Sequence, residues 1–183
     1  VADLYMRSFA SFPALDIVGV ADIATDRSER FAKHWGRVAF PDLAALVEAV
    51  GPGGLVLNLT NPNAHYDVSR QCLEAGLHVY SEKPLALELD QARHLCNLAE
   101  ERGLLLASAP CSVLGEAAQL MAAAIRSDVA GRVRLVYAEL DDDYISKAPY
   151  ALWTSDSGVP WPSKDEFEVG CTIEHAGHYL LWL

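Results

Sequence analysis

Apolar side chains at Leu4, Tyr5, Phe9 and Phe12 recur at helical spacing, which predicts a helix over residues 2–12 that stops before Pro13. Residues 16–22 (DIVGVAD) form a short run rich in Val and Ile that closes on an acid, the pattern of a buried strand. Helices come next over 26–35, stopped by Gly36, and over 42–50, with Asp42 as N-cap and a Gly51-Pro52-Gly53-Gly54 turn behind it. The alternation continues with a strand at 55–59, a helix at 64–74 ended by Gly76, and a strand at 77–80. A helix at 88–101 ended by Gly103, a strand at 104–109 and a helix at 114–126 complete the series. Such βαβα order with short connections predicts an α/β fold with a doubly wound parallel sheet, because parallel neighbours need crossovers and these cover both faces.

The pattern changes near Gly131. Residues 132–141 (RVRLVYAELD) alternate polar with apolar side chains, as a strand with one wet face does. Residues 142–167 carry Pro and Trp without periodicity and exceed an ordinary connection in length, so they read as a candidate binding loop. A helix is predicted over 171–183. These changes place a first domain at residues 1–112 and the start of a second at 113–183.

Composition narrows the classes of partner. About half of the 183 residues are apolar, enough for a packed core. Twenty-five acidic against 14 basic residues give a net charge of -11, which repels nucleic acid and anionic membrane surfaces. Cys72, Cys96, Cys111 and Cys171 lie far apart with no C-x-x-C pair, which fits a reducing, cytoplasmic setting. No apolar run approaches the ~20 residues that cross a bilayer. Val1 is neither an initiator Met nor the opening of a signal peptide, so the natural start is expected upstream.

Open α/β sheets bind ligands beyond the carboxyl ends of their strands, and those ends carry the candidate chemistry. Asp22 closes the first strand, where a carboxylate accepts from both ribose hydroxyls of an adenosine and disfavours a 2′-phosphate; a strand-terminal Asp also serves as an N-cap or turn former. The second strand runs into Thr60-Asn61-Pro62-Asn63-Ala64-His65, and the third into Ser81-Glu82-Lys83-Pro84. A Lys directly after a buried strand is unusual, since burying an ammonium is costly, and the Pro behind it can hold a cis bond. Taken alone, the tripeptide reads more readily as a surface loop with a solvated lysine. His175 and His178, three apart, do not match the H-E-x-x-H zinc helix, so no metal is expected from them. The Asp141-Asp142-Asp143 run is read as a solvated strand end.

The combination of Thr60 to His65, then Ala75 to Ala86 (AGLHVYSEKPLA), then the Gly170 to His178 segment resembles the glucose–fructose oxidoreductase, inositol dehydrogenase and MocA family of nicotinamide-dependent oxidoreductases. The resemblance implies a Rossmann-like first domain and an α+β second domain with an open sheet. It also implies that the first strand, with its G-x-G-x-x-G loop, stands ahead of Val1 and that further strands of the second sheet come after Leu183. Residues 1–183 alone, without that loop, are expected to hold a dinucleotide weakly.

In such a protein Lys83 stabilises the developing alkoxide and His178 acts as general base, with Glu174, four residues earlier on the same helical face, orienting the ring or the substrate. The family usually has Asp at that place. Asp22, Thr60, Asn61, Asn63, His65, Glu82 and Lys83 are implied as the cofactor-binding set, with NAD favoured by Asp22 and NADP as the second choice. A sugar, cyclitol or sugar acid with a secondary hydroxyl is the implied substrate, and assembly through the second sheet implies a dimer or tetramer. A different reading is a sensing or regulatory protein that keeps the fold without turnover. Cys111, directly behind Pro110, stands where many members carry an Asn-Arg pair and reads as a pocket liner or a packed thiol. Trp153 and Trp161 read as a stacking surface for a sugar or as a cover for the second domain's core.

Overall fold

The computed structural model describes residues 1–109, 114–129, 131–137, 139 and 152–159. Six helices and five strands alternate over them: α1 (Ala2–Phe9), β1 (Gly19–Ala21), α2 (Thr25–Trp35), β2 (Val38–Phe40), α3 (Leu43–Val50), β3 (Leu55–Asn58), α4 (Pro62–Glu74), β4 (His78–Ser81), α5 (Leu89–Arg102), β5 (Leu106–Ser108) and α6 (Glu116–Arg126). Every strand pair is parallel, as the crossover helices require. The strands divide into two ladders, β1–β2 and β3–β4–β5. The α/β, helix-covered parallel arrangement is the one expected; β2 is an addition to it, because Val38-Ala39-Phe40 is three residues long with no periodicity of its own.

Local chemistry sets the ends. Asp42 caps α3 by accepting from the Ala45 amide at 2.8 Å, and Pro62 opens α4 where its missing N–H costs nothing. Gly36 and Gly103 close α2 and α5 in the left-handed conformation that residues with a Cβ resist. The core forms where α4 and α5 pack on β3 and β4: Val56, Leu73, Leu77, Val79 and Leu95 are buried there with Cys72. Each fully buried Leu of this set contributes on the order of 1.5–3 kcal/mol.

Two expectations need correction. The first helix ends at Phe9, with a turn rather than a helix through Phe12. Over the described part of the predicted strand at 132–141, residues 132–137, there is no ladder, and these side chains are exposed. An alternating pattern makes a strand only where a neighbour accepts its backbone bonds, and none pairs with this segment among the described residues.

The described part of the predicted binding loop, residues 152–159, lies against α1. Ser157 Oγ donates to Asp3 Oδ2 at 3.0 Å, Trp35 Nε1 donates to Asp3 Oδ1 at 2.5 Å, and Arg7 pairs with Asp156. Burial raises the Asp3 carboxyl, but the donors Trp35, Ser155 and Ser157 together outweigh it and hold the group below its ordinary range. The exposed Arg7–Asp156 pair adds little by comparison.

A folded-state pKa below the unfolded value means stability that is present above the ordinary carboxylate range and lost as pH falls through the lower folded value. Asp3→Asn is therefore expected to cost about 2 kcal/mol at pH 7, with the gap to wild type narrowing as pH falls below ~4, the reference carboxylate value. Urea titrations at several pH values read this, and a gap independent of pH removes the charged role of Asp3. For Cys72, burial pushes the thiol up to about 11, so it stays protonated in the folded protein, whereas Cys96 is exposed. Iodoacetamide at pH 8 is expected to label Cys96 and spare Cys72 until urea unfolds the chain; peptide mapping that finds equal labelling contradicts the packing of the core.

Candidate active site at the carboxyl edge of the strands

Register builds the site. Asn58 pairs with Ser81 at the last rung of the β3–β4 ladder, so the chain leaves both strands at one edge, and Glu82 N donates to Asn58 O at 2.8 Å just beyond it. The segment Thr60–His65 and the segment Glu82–Pro84 are thereby brought side by side. The Lys83–Pro84 bond is cis.

Asn58 and His65 knit the two segments together. Asn58 is buried; its Nδ2 donates to Ser69 Oγ at 2.9 Å and to His65 O at 3.0 Å, while its Oδ1 accepts from Thr60 Oγ1 at 2.7 Å and Thr60 N at 3.3 Å. All the polar capacity of the amide is used, as a buried amide requires. The His65 ring is also buried, with Nδ1 at 2.5 Å from Pro84 O and Nε2 at 2.8 Å from Thr60 O. Both nitrogens face carbonyl acceptors: a proton on each satisfies both, and a neutral ring satisfies one. With its edges taken by protein, the ring acts as a strap between the loops.

The other predicted residues divide between the two ladders. Thr60 and Asn63 are exposed at this edge, and Asn61 is half-buried as the N-cap of α4 with no side-chain cap bond. Glu82 is half-buried; its Oε1 accepts from Tyr5 OH at 2.8 Å and its Oε2 from Lys83 N at 3.3 Å. Lys83 is half-buried between Glu82 and Pro84. Asp22 stands at the carboxyl end of β1, in the other ladder, where Oδ1 accepts from Ala24 N at 2.9 Å and Oδ2 lies 3.5 Å from Arg27. Glu174, His175 and His178 lie outside the described residues, as do Cys111, Cys171, Trp161 and Asp141 to Asp143. Among the described residues no group of three or more His, Cys, Asp or Glu side chains is placed to hold a metal ion, and no helix is long and apolar enough to cross a membrane.

Three contributors escape a reading of strand ends alone. Asn58 carries a usable signal, a polar residue inside the apolar run LVLNL, and Ser69 stands four after His65 on one face of α4. Tyr5 carries none, since its spacing makes it one more apolar position on α1.

Polar side chains stand past the carboxyl ends of strands in both ladders, at β1 in one and at β3 and β4 in the other. Asp22, past β1, accepts from Ala24 N on Oδ1 and lies beside Arg27 on Oδ2, a carboxylate of the kind that pairs with ribose hydroxyls. Thr60, Asn63 and Lys83 add polar groups along the same kind of strand end.

Comparison with known proteins agrees. The family described as an oxidoreductase family with an NAD-binding Rossmann fold matches residues 2–109, more than half of the chain, and the chain belongs to this Gfo/Idh/MocA family. It is 36% identical over 95 residues to D-glucoside 3-dehydrogenase of Escherichia coli strain K12, a match covering 51% of this chain and 26% of that protein. UDP-N-acetylglucosamine 3-dehydrogenase from Acidithiobacillus ferrooxidans superposes with a TM-score of 0.61 at 28% identity, over 68% of this chain and 39% of that one. A 3-ketoreductase from Actinomadura kijaniata, solved in complex with NADP and TDP-benzene, superposes with a TM-score of 0.59 at 27% identity, over 68% and 38% of the two chains. The matches therefore span about a quarter to two-fifths of the length of these relatives.

Replacing the strap tests the architecture. His65→Ala leaves Thr60 O and Pro84 O without ring partners and opens a cavity, so a loss of about 3 kcal/mol is expected in urea unfolding. A loss within about 0.5 kcal/mol, the level of a neutral surface change, is incompatible with a buried ring that bridges the two loops.

Proposed function

We propose that this chain is the dinucleotide-binding part of an NAD-dependent dehydrogenase that oxidises a secondary hydroxyl of a sugar, cyclitol or sugar acid. The observation that carries the reading is the junction of Thr60–His65 with Glu82–Pro84 at one edge of two paired parallel strands, in a chain of this family. Two of the relatives named above are 3-dehydrogenases of a D-glucoside and of UDP-N-acetylglucosamine, which supports the substrate class and leaves the particular sugar open.

Asp22, Thr60, Asn61, Asn63, Glu82 and Lys83 would hold the dinucleotide, which when bound supplies the hydride-accepting ring. The Asp22 carboxylate takes the adenosine ribose and repels a 2′-phosphate; Arg27 beside it offsets part of that charge, which keeps NADP within reach as a second cofactor. The Lys83 ammonium aims a donor at the substrate oxygen as negative charge develops there. His178 takes the hydroxyl proton and Glu174 orients it, completing a base for which imidazole chemistry is suited. Residues 113–183 open the substrate domain, through whose sheet the whole protein assembles as a dimer or tetramer.

A screen of sugars and polyols against the whole protein, read by reduced nicotinamide absorbance with NAD and with NADP, tests the proposal. Turnover with NAD preferred is expected. In Lys83→Ala, kcat is expected to fall about 10²–10³-fold, the usual effect of losing one oxyanion donor, with the fold unchanged by circular dichroism. Full activity in Lys83→Ala, or no sugar oxidised by the wild type, overturns it.

A further inference from the structure

Tyr5 sits on α1, far in sequence from the Glu82-Lys83-Pro84 turn, yet its hydroxyl donates to Glu82 Oε1 at 2.8 Å. The other carboxylate oxygen accepts from the Lys83 amide at 3.3 Å. The Tyr5 ring is itself fixed, packing edge-on against Tyr80 with centroids 6.2 Å apart and against Phe9 at 6.2 Å. One residue further along, Pro84 O is held by His65. The turn is thus pinned before and after Lys83.

We propose that Tyr5 is a positioning residue for Lys83: its hydroxyl fixes the Glu82 carboxylate, and the carboxylate fixes the main chain from which the Lys83 side chain departs. An unheld Glu side chain rotates about three bonds and loses much freedom when ordered, so a charge-assisted bond is needed to keep its carboxylate over the Lys83 amide. Burial, and then the Glu82 carboxylate, push the Tyr5 hydroxyl far above its ordinary ionisation range, so it remains a donor across the working pH span. Misplacement of a catalytic group by about 1 Å costs up to a hundredfold in rate, which makes a remote hydroxyl consequential. The catalytic consequence rests on the dehydrogenase reading above; the clamp itself does not.

The test uses the whole protein and the variant Tyr5→Phe, which keeps the ring and removes the hydroxyl. Hydrogen–deuterium exchange is expected to quicken about tenfold over residues 82–85 and to stay unchanged over residues 95–99 of α5. In turnover, kcat is expected to fall at least about tenfold. Glu82→Gln is expected to quicken exchange over residues 82–85 to a similar extent, and the double variant to exchange no faster than the quicker single one, as for two groups acting as a unit. Phe9→Leu, which loosens the ring's packing and keeps the hydroxyl, is expected to retain kcat.

Unchanged exchange at 82–85 in Tyr5→Phe overturns the clamp. Faster exchange with unchanged kcat, or a Phe9→Leu loss equal to that of Tyr5→Phe, overturns the positioning role. A wild type that oxidises no sugar removes the dehydrogenase reading instead, and the exchange measurement still decides the clamp.

Discussion

Parallel pairing of β3 with β4 is the constraint on which the site depends. In a parallel pair both chains run the same way, so both must exit at the same edge, and the last rung, Asn58 with Ser81, fixes where. The segments leaving the two strands are then forced into proximity: Thr60–His65 from one, Glu82–Pro84 from the other. An antiparallel partner would carry these segments to opposite ends of the sheet. The apolar core of Val56, Leu73, Leu77, Val79 and Leu95 holds the ladder in place and, through it, the chemistry at its rim.

The rim is stiffened by polar bonds rather than by more apolar burial. Asn58, Thr60, His65 and Ser69 form a connected set in which the buried amide is saturated and the buried imidazole bridges two carbonyls. In a low-dielectric setting such a set is stronger than in water, and the same setting makes any unmade bond expensive. This explains why a histidine lies here with no edge left for a ligand. Its part is structural: it holds Pro84 and so the main chain next to Lys83.

Much of this is legible in the sequence, and the failures have physical causes. The βαβ order, Asp42 as a cap, Gly36 and Gly103 as helix stops, and the strand-end residues can be read because each depends on local propensity or on a regular period. β2 escapes such a reading since three residues contain no period. Residues 132–137 show the opposite failure, a clear alternation without a ladder, because pairing is decided by a partner and not by the strand's own pattern. His65 is legible as a polar residue past a strand end but not as a strap, which only the carbonyls of Thr60 and Pro84 reveal. Tyr5 is invisible as a polar group for the same reason: a tyrosine on an apolar helix face declares its ring, while the use of its hydroxyl depends on a residue far away in the chain.

α1 gains a significance that its eight residues do not suggest. Asp3 and Tyr5 are two apart and so point in different directions from the helix. Asp3 accepts from Trp35 at the end of α2, which belongs with the β1–β2 ladder, and Tyr5 reaches Glu82 beyond β4 in the other ladder. The two ladders share no rung, so their relative position depends on what lies across them. α1 provides hydrogen bonds to both. Asp22 lies just past β1 and Lys83 just past β4, and a dinucleotide held by both residues would need them at a fixed separation. A helix bonded to both ladders, alongside α3, whose Leu43, Val47 and Val50 pack on the β3–β4 core, therefore bears on whether both ends of such a ligand would be served together.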